Sequence, residues 1–239
     1  MREAYSVLAK YYDILMSDFN YGEIASFVLR EIKGNNGLEL GCGSGELTIA
    51  LAKRGLKMTA VDKSLEMLNA ASGKALKNAL DIRFLSGDIS ELRLEKRFDF
   101  ILAICDVMNY LKLKDAVKVI DNAYEMLNDG GVFIFDISTR CKLTRTLGNN
   151  LFFEEYEDFS YFWQNELEAN GKYVDLELVF FEKDENGKYD RLEETQRQYV
   201  HEKEDILNAL SKFGKTELYG ENFEKPEPTS SRLFFKSTK

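Results

Sequence analysis

The 239 residues are 44% apolar and 31% charged with two prolines, which excludes a disordered or fibrous chain and fits one large domain or one domain with an appendage. A net charge of −9 with no basic run makes nucleic acid a poor partner, because phosphate binding needs concentrated Lys and Arg. The longest wholly apolar run is Phe100 to Cys105, far short of the roughly 20 residues of a bilayer span, and Met1-Arg2-Glu3-Ala4-Tyr5 lacks the apolar core of a signal peptide. Three scattered cysteines, Cys42, Cys105 and Cys141, exclude a disulfide framework and a cysteine zinc site and fit a reducing cytoplasm. His201 is the one histidine, so a two-histidine metal site is excluded.

Residues 1–33 read as helix, with one apolar stripe on Leu8, Tyr11, Tyr12 and Leu15 and another on Ile24, Phe27, Val28 and Ile32. Short strands and helices then alternate. Strands are expected at Gly37–Gly41, Lys57–Val61 (ending in Asp62), Ile82–Leu85 (followed by Gly87-Asp88), Phe98–Cys105 and Val132–Ile137. Helices are expected at Leu47–Arg54, after a Ser64 cap, and over 115–127, where Ala116, Ile120, Ala123 and Leu127 recur at helical spacing. This alternation predicts a doubly wound α/β fold with a mostly parallel sheet.

From residue 151 the period becomes two. Residues 151–200 hold 14 acidic and 5 basic residues and 12 of the 30 aromatics. Asn170-Gly171 and Asn186-Gly187 read as two-residue hairpin turns, giving a three-stranded antiparallel ribbon. That register sets Trp163 opposite Leu178 and Leu178 opposite Thr195. It places Thr195, Arg197 and Tyr199 on the aromatic inner face with Phe159, Tyr161, Leu176 and Phe180, and Glu194 and Gln196 on the acidic outer face. A helix near 203–212, a strand near 215–220 and a last strand at Leu233–Lys236 close the chain.

The informative stretch is Glu39-x-Gly41-Cys42-Gly43-x-Gly45. Glycines between a strand and a helix let backbone approach a ligand. A dinucleotide fingerprint needs its third glycine one residue later, where Glu46 stands, and Glu39 would repel a pyrophosphate. Asp62, Asp88 and Cys105-Asp106 lie at the ends of successive strands, where open α/β sheets bind ligands. A carboxylate at Asp62 suits a ribose diol, and one at Asp88 an adenine amino group. The set asks for an adenosine with a cationic, phosphate-free tail. A nicotinamide oxidoreductase is thereby disfavoured.

These motifs, with Gly87-Asp88-Ile89 and Asp129-Gly130-Gly131, resemble the motif series of class I S-adenosylmethionine-dependent methyltransferases over roughly residues 35–137. Ala9-Lys10-Tyr11-Tyr12-Asp13 with Tyr21, Cys105-Asp106-x-x-Asn109-Tyr110-Leu111 and the inserted hairpins resemble the small-molecule, amino-sugar N-methyltransferase-like group. The resemblance implies a Rossmann-like fold with an antiparallel last strand and S-adenosylmethionine as cofactor, leaving as S-adenosylhomocysteine. It implies a donor-binding domain of residues 1–150 and 201–239, with 1–33 as a helical lid and 151–200 as an insertion over the active site. Gly41 and Gly43 would flank the methionine part, Asp62 would bind ribose, and Asp88 and Ile89 adenine. Tyr12 and Tyr21 would approach the methionyl carboxylate, and Glu39, Cys42, Lys63 and Cys105 complete the cofactor-binding set.

Asp106, Tyr110 and Arg197 are the candidates for acceptor contact. Members of that group often carry a histidine just before the Arg-x-Tyr of the third inserted strand. Here Glu194, Thr195 and Gln196 precede Arg197-Gln198-Tyr199, so histidine base catalysis is unsupported. Cys42 also reads as a packing residue, Trp163 as a filler of the ribbon face, Arg197 as the partner of an acidic neighbour, and His201 as a surface residue. A small-molecule acceptor with a nitrogen or oxygen nucleophile is the expectation. The alternatives are a tRNA-nucleoside or protein methyltransferase, or a non-catalytic adenosine-ligand-binding regulatory protein.

Overall fold

The computed structural model describes residues 7–239. Before the first strand come α1 (Leu8–Leu15) and α2 (Tyr21–Glu31). The expected helix over 1–33 is therefore interrupted: Met16 to Phe19 form a turn, and Asn20 caps α2 by accepting the Glu23 amide at 3.1 Å. Tyr5, part of that expectation, lies outside the described residues.

The alternating segment gives β1 (Asn36–Leu40), α3 (Glu46–Ala52), β2 (Lys57–Asp62), α4 (Leu65–Lys77), β3 (Arg83–Ser86), β4 (Phe98–Ala103), α5 (Leu113–Met126) and β5 (Leu127–Ser138). Ser64 caps α4 through the Met67 amide, as its position predicts. A π-helix at Lys142–Leu147 leads into β6 (Leu151–Glu155), β7 (Phe159–Leu167), β8 (Tyr173–Lys183) and β9 (Tyr189–Tyr199). The chain closes with α6 (Lys203–Ala209), β10 (Lys215–Tyr219) and β11 (Arg232–Thr238).

The main sheet has the order β10-β11-β5-β4-β1-β2-β3, with β1–β5 parallel and β11 antiparallel to β5. The order reverses between β1 and β4. Helices that leave these two strands go to opposite faces, so a crevice opens at their C-terminal ends. Burial on both faces explains why β4 and β5 are near-continuous apolar runs: Phe100, Ile101, Phe133, Ile134 and Phe135 are fully buried. Close packing even selects a glycine here, since a Cβ on Gly37 would stand 2.2 Å from the Phe100 ring on the neighbouring strand.

The smaller sheet has four strands in the order β6-β7-β8-β9, one more than expected. The first hairpin keeps the expected register, with Trp163 opposite Leu178, although its loop is longer than two residues. The second does not. Gly187, at φ +77, closes a three-residue loop between Asp184 and Lys188, so Leu178 faces Glu194 instead of Thr195. A slip of one residue reverses every side chain. Glu194, Gln196 and Gln198 therefore face inward and are buried, and Arg197 faces outward. The inner face packs on α1, whose Tyr11 ring lies 4.1 Å from Phe159 and 5.0 Å from Phe180.

Candidate active site

Between the C-terminal ends of β1–β4 and the inner face of the small sheet lies a cavity of about 490 Å³. Gly41, Gly43, Asp62, Asp88 and Asp106 line one side, and Leu8, Tyr12, Tyr161, Trp163, Leu176 and Leu178 the other.

The glycine loop is shaped by backbone that only glycine adopts readily. Gly41 and Gly43 have φ of +69 and +51, and a Cβ on Gly41 would meet Val107 at 2.7 Å. Asp62 holds the loop from β2: its Oδ2 accepts the Gly43 amide at 2.8 Å and its Oδ1 the Ser64 amide at 2.9 Å. Asp88 accepts the Ser90 hydroxyl at 2.7 Å and the Ser90 amide at 2.8 Å. The hydroxyl bond foremost keeps its carboxyl below the ordinary range. Tyr12 lies over Gly43 and donates to Cys105 Sγ at 3.9 Å, and Asp13 on the same helix accepts Ser44 Oγ at 2.5 Å. Tyr21, Cys42, Lys63 and Ile89 also line the cavity.

Glu39, on β1, is among the cavity-lining residues. It is fully enclosed, accepts the Thr48 hydroxyl, and burial pushes its carboxyl up to about 8. At neutral pH it is mostly protonated, so the expected repulsion of a pyrophosphate does not come from a fixed Glu39 anion.

At the end of β4 the chain turns sharply. Cys105 and Asp106 have φ of +72 and +50. Such backbone costs non-glycine residues roughly 1–3 kcal/mol each and persists only when its surroundings enforce it. A 3₁₀ turn, Val107–Tyr110, follows. Tyr110 reaches the cavity and donates to Gln196 Oε1 at 3.1 Å. Asn109 does not reach it: fully buried, it binds the Ser138 and Tyr199 carbonyls and accepts the Ser138 amide.

Arg197 is the one proposed site residue placed away from the cavity. On the outer face it grips Asp175 with two hydrogen bonds, at 2.5 and 2.7 Å, and stacks 3.8 Å from the Tyr173 ring centroid. His201 is buried instead of exposed; its Nε2 lies 2.9 Å from the Met108 carbonyl, and burial lowers its pKa. In place of Arg197, β9 brings in Gln196 and Gln198, which the expected register had hidden. Trp163 lines the cavity half-buried and donates to Asn165 at 2.6 Å.

Gln196 also connects the cavity to α1. Its Nε2 donates to Glu194 Oε1 at 2.6 Å, and Glu194 Oε2 accepts the Val7 and Leu8 amides at 3.1 Å. A buried carboxylate from β9 thus caps the helix that carries Tyr12. Glu194→Ala is expected to raise hydrogen exchange over residues 7–15 about 5- to 30-fold, as loss of ~1–2 kcal/mol of capping requires, with β1–β5 unchanged. Unchanged protection of α1 would show that apolar packing alone seats it.

Among the described residues no group of three or more His, Cys, Asp or Glu is arranged to hold a metal ion, and no helix is long and apolar enough to cross a membrane.

Comparison with known proteins agrees with this geometry. A family model described as "Methyltransferase domain" matches residues 38–131, from β1 through the Gly130-Gly131 turn. A "Putative methyltransferase" of Geobacillus sp. (strain WCH70) is 34% identical, covering 98% of this chain and 99% of its own length. "Putative methyltransferase YqeM" of Bacillus subtilis (strain 168) is 32% identical over 98% of this chain and 97% of its own. The crystal structure of an S-adenosylmethionine-dependent methyltransferase from Clostridium acetobutylicum ATCC 824 matches with a TM-score of 0.85 at 29% identity, with 95% of each chain covered. The sugar N-methyltransferase KedS8 from Streptoalloteichus sp ATCC 53650 shares the fold, with a TM-score of 0.75 at 18% identity over 95% of this chain and 92% of that one. Full-length similarity and a glycine loop flanked by carboxylates at strand ends lead to one conclusion: the chain belongs to the class I S-adenosylmethionine-dependent methyltransferases.

Proposed function

We propose that the protein transfers the methyl group of S-adenosylmethionine to a small-molecule acceptor through a nitrogen or oxygen nucleophile, mainly by alignment and exclusion of water. The observation that carries this reading is the single cavity shared by the strand-end carboxylates and an apolar roof of α1 and the small sheet. A roofed space of about 490 Å³ suits a small acceptor better than an RNA or a folded protein. The net charge of −9 also disfavours RNA.

The residues present fit the donor. Asp62 is held by two amides at the end of β2, in reach of a ribose diol, and Asp88 at the end of β3 suits the adenine amino group beside Ile89. Gly41 and Gly43 leave backbone bare for the methionine part, with Tyr12 and Tyr21 on the α1–α2 side and Lys63, Cys42, Cys105 and Glu39 completing the lining. When bound, S-adenosylmethionine supplies a methyl group on a positively charged sulfur.

The chain then needs to orient the acceptor and keep water out. Alignment alone accounts for roughly 7–11 kcal/mol of barrier lowering in well-oriented reactions. Aromatic faces near a cation add about 0.5–2 kcal/mol each, and Tyr12, Tyr161 and Trp163 are placed to offer them. Asp106 and Tyr110 stand at the acceptor side. Residues 1–33 and 151–200 act in this reading as a lid on a donor domain of residues 1–150 and 201–239.

The test is incubation of the protein and S-adenosylmethionine with fractionated bacterial small-molecule extracts, following S-adenosylhomocysteine release. Release dependent on a small-molecule fraction is expected. Methyl incorporation confined to RNA or protein fractions would overturn the proposal, as would binding of S-adenosylhomocysteine without turnover on any fraction.

A further inference from the structure

The turn at Cys105–Asp106 is held by Asp136, which does not line the cavity, and by Arg232, which forms part of its wall. Asp136, fully buried on β5, accepts both strained amides: Cys105 N–H on Oδ1 at 2.7 Å and Asp106 N–H on Oδ2 at 3.1 Å. Arg232, at the start of β11 and 96 positions along the chain, is ion-paired with Asp136, and its other terminal nitrogen lies 3.8 Å from Asp106 Oδ2. A charged pair buried beneath a strained turn is costly to assemble unless it does something there.

The contacts of Asp106 indicate what that is. Ser138 Oγ at 2.8 Å, Gln198 Nε2 at 3.4 Å, and Lys142 Nζ and Arg232 Nη2 at 3.8 Å all meet Oδ2. Oδ1 has no hydrogen bond or ion pair among the described residues, and Asp106 lines the cavity with its side chain 13% exposed. Burial pushes the carboxyl up, but Arg232 and Lys142 together with the Ser138 and Gln198 hydrogen bonds hold it below its ordinary range. The sheet order β4-β1-β2-β3 then locates this oxygen. With adenine at Asp88 on β3 and ribose at Asp62 on β2, the sulfur end of the donor reaches β1 and β4, where Asp106 stands.

We propose that Asp136 and Arg232 are positioning residues that hold the Cys105–Asp106 turn so that Asp106 Oδ1 faces the methyl-transfer point, where it accepts a hydrogen bond from the N–H or O–H of the acceptor. This rests on the donor seating proposed above. The bond orients the nucleophile's lone pair; as the new bond to the methyl carbon forms and the carbon–sulfur bond breaks to release S-adenosylhomocysteine, an amine acceptor keeps its proton and leaves as an ammonium, whereas a hydroxyl acceptor passes its proton to Asp106 Oδ1. The acceptor must therefore bring a hydrogen-bond donor on its reacting atom, which excludes a thioether, a tertiary amine or a phosphate ester as nucleophile.

Two probes read this without knowledge of the acceptor. S-adenosylhomocysteine and sinefungin share adenosine and amino-acid parts, but only sinefungin carries an ammonium where the transferred methyl would stand. Calorimetric titration of the full chain is expected to show S-adenosylhomocysteine affinity within about twofold of the parent in Asp106→Asn, with sinefungin affinity reduced about tenfold, as loss of one charge-assisted hydrogen bond implies. Asp136→Asn is expected to reduce the sinefungin preference at least threefold. Arg232→Lys, which keeps the charge but loses the fork, should do the same and serves where Asp136→Asn does not fold. A preference unchanged in Asp106→Asn overturns the proposal. A preference lost in Asp106→Asn but retained in both other variants overturns the positioning role. If the parent binds neither compound, the donor seating itself is what fails.

Discussion

Asp62→Ala will weaken S-adenosylhomocysteine binding by at least about 100-fold, the largest functional loss expected from any single substitution at the donor side. Two effects combine. A carboxylate facing a ribose diol makes hydrogen bonds worth roughly 1.5–3 kcal/mol each, because the acceptor is charged. The same carboxylate anchors the Gly43 and Ser64 amides, so its removal also loosens the loop that approaches the methionine part. The measurement is calorimetry paired with thermal melting. Ligand at 100 times its dissociation constant stabilises the parent by about 2.7 kcal/mol, and the variant should lose nearly all of that increment while melting close to the unliganded parent. Retained affinity would move the ribose site away from β2.

Glu39→Gln will flatten the dependence of stability on pH between about 4.5 and 8. In the folded protein burial lifts the Glu39 carboxyl from an ordinary 4.5 to about 8, with the Asp62 charge adding to the lift and the Thr48 bonds opposing it. The sign follows from proton counting. Between pH 4.5 and 8 the folded state holds a proton that the unfolded state has released. Glu39 is thus neutral to stability below the lower value, and stability is lost steadily as pH rises through that window, levelling above 8. At about 1.4 kcal/mol per unit, the loss is on the order of 5 kcal/mol by pH 9. For a chain of this size that corresponds to roughly 10 °C in melting temperature. Glutamine keeps an acceptor for the Thr48 hydroxyl and has nothing to titrate. The variant should therefore melt higher than the parent at pH 9 and with it at pH 4.5. Parallel pH profiles would mean that Glu39 is ionised in the folded state across this range.

The parts legible in the sequence are those written in local periodicity. β1, β2, β4 and α5 were foreseeable because apolar runs and helical spacing are short-range signals, and Gly41, Asp62 and Asp88 could be placed because each follows such a strand. Loop chemistry was less forgiving. Asn186-Gly187 reads as a two-residue turn, but the loop takes Glu185 as well, and that one residue turned Arg197 outward and Gln196 and Gln198 inward. On β9 the pattern could not correct the error, since Leu192 is the only aliphatic residue between Tyr189 and Tyr199.

The Asp136–Arg232 pair was hidden for a different reason, since partners 96 residues apart leave no local trace. Half a signal existed: Asp136 is the one charge in Val132–Ser138, a run otherwise suited to the middle of a sheet. The break before α2 was also written in polar residues, Ser17, Asp18 and Asn20, which prefer caps and turns to helix interiors.

Trp163 is the only tryptophan in the chain, and it stands in the cavity wall opposite the donor cradle. The molecule therefore carries a built-in optical reporter at the spot where an acceptor would rest. Indole emission excited at the red edge of the tyrosine band would register arrivals in the pocket with no label and no turnover. Compound libraries can thus be ranked by quenching before any chemistry is known, and Trp163→Phe supplies the dark control.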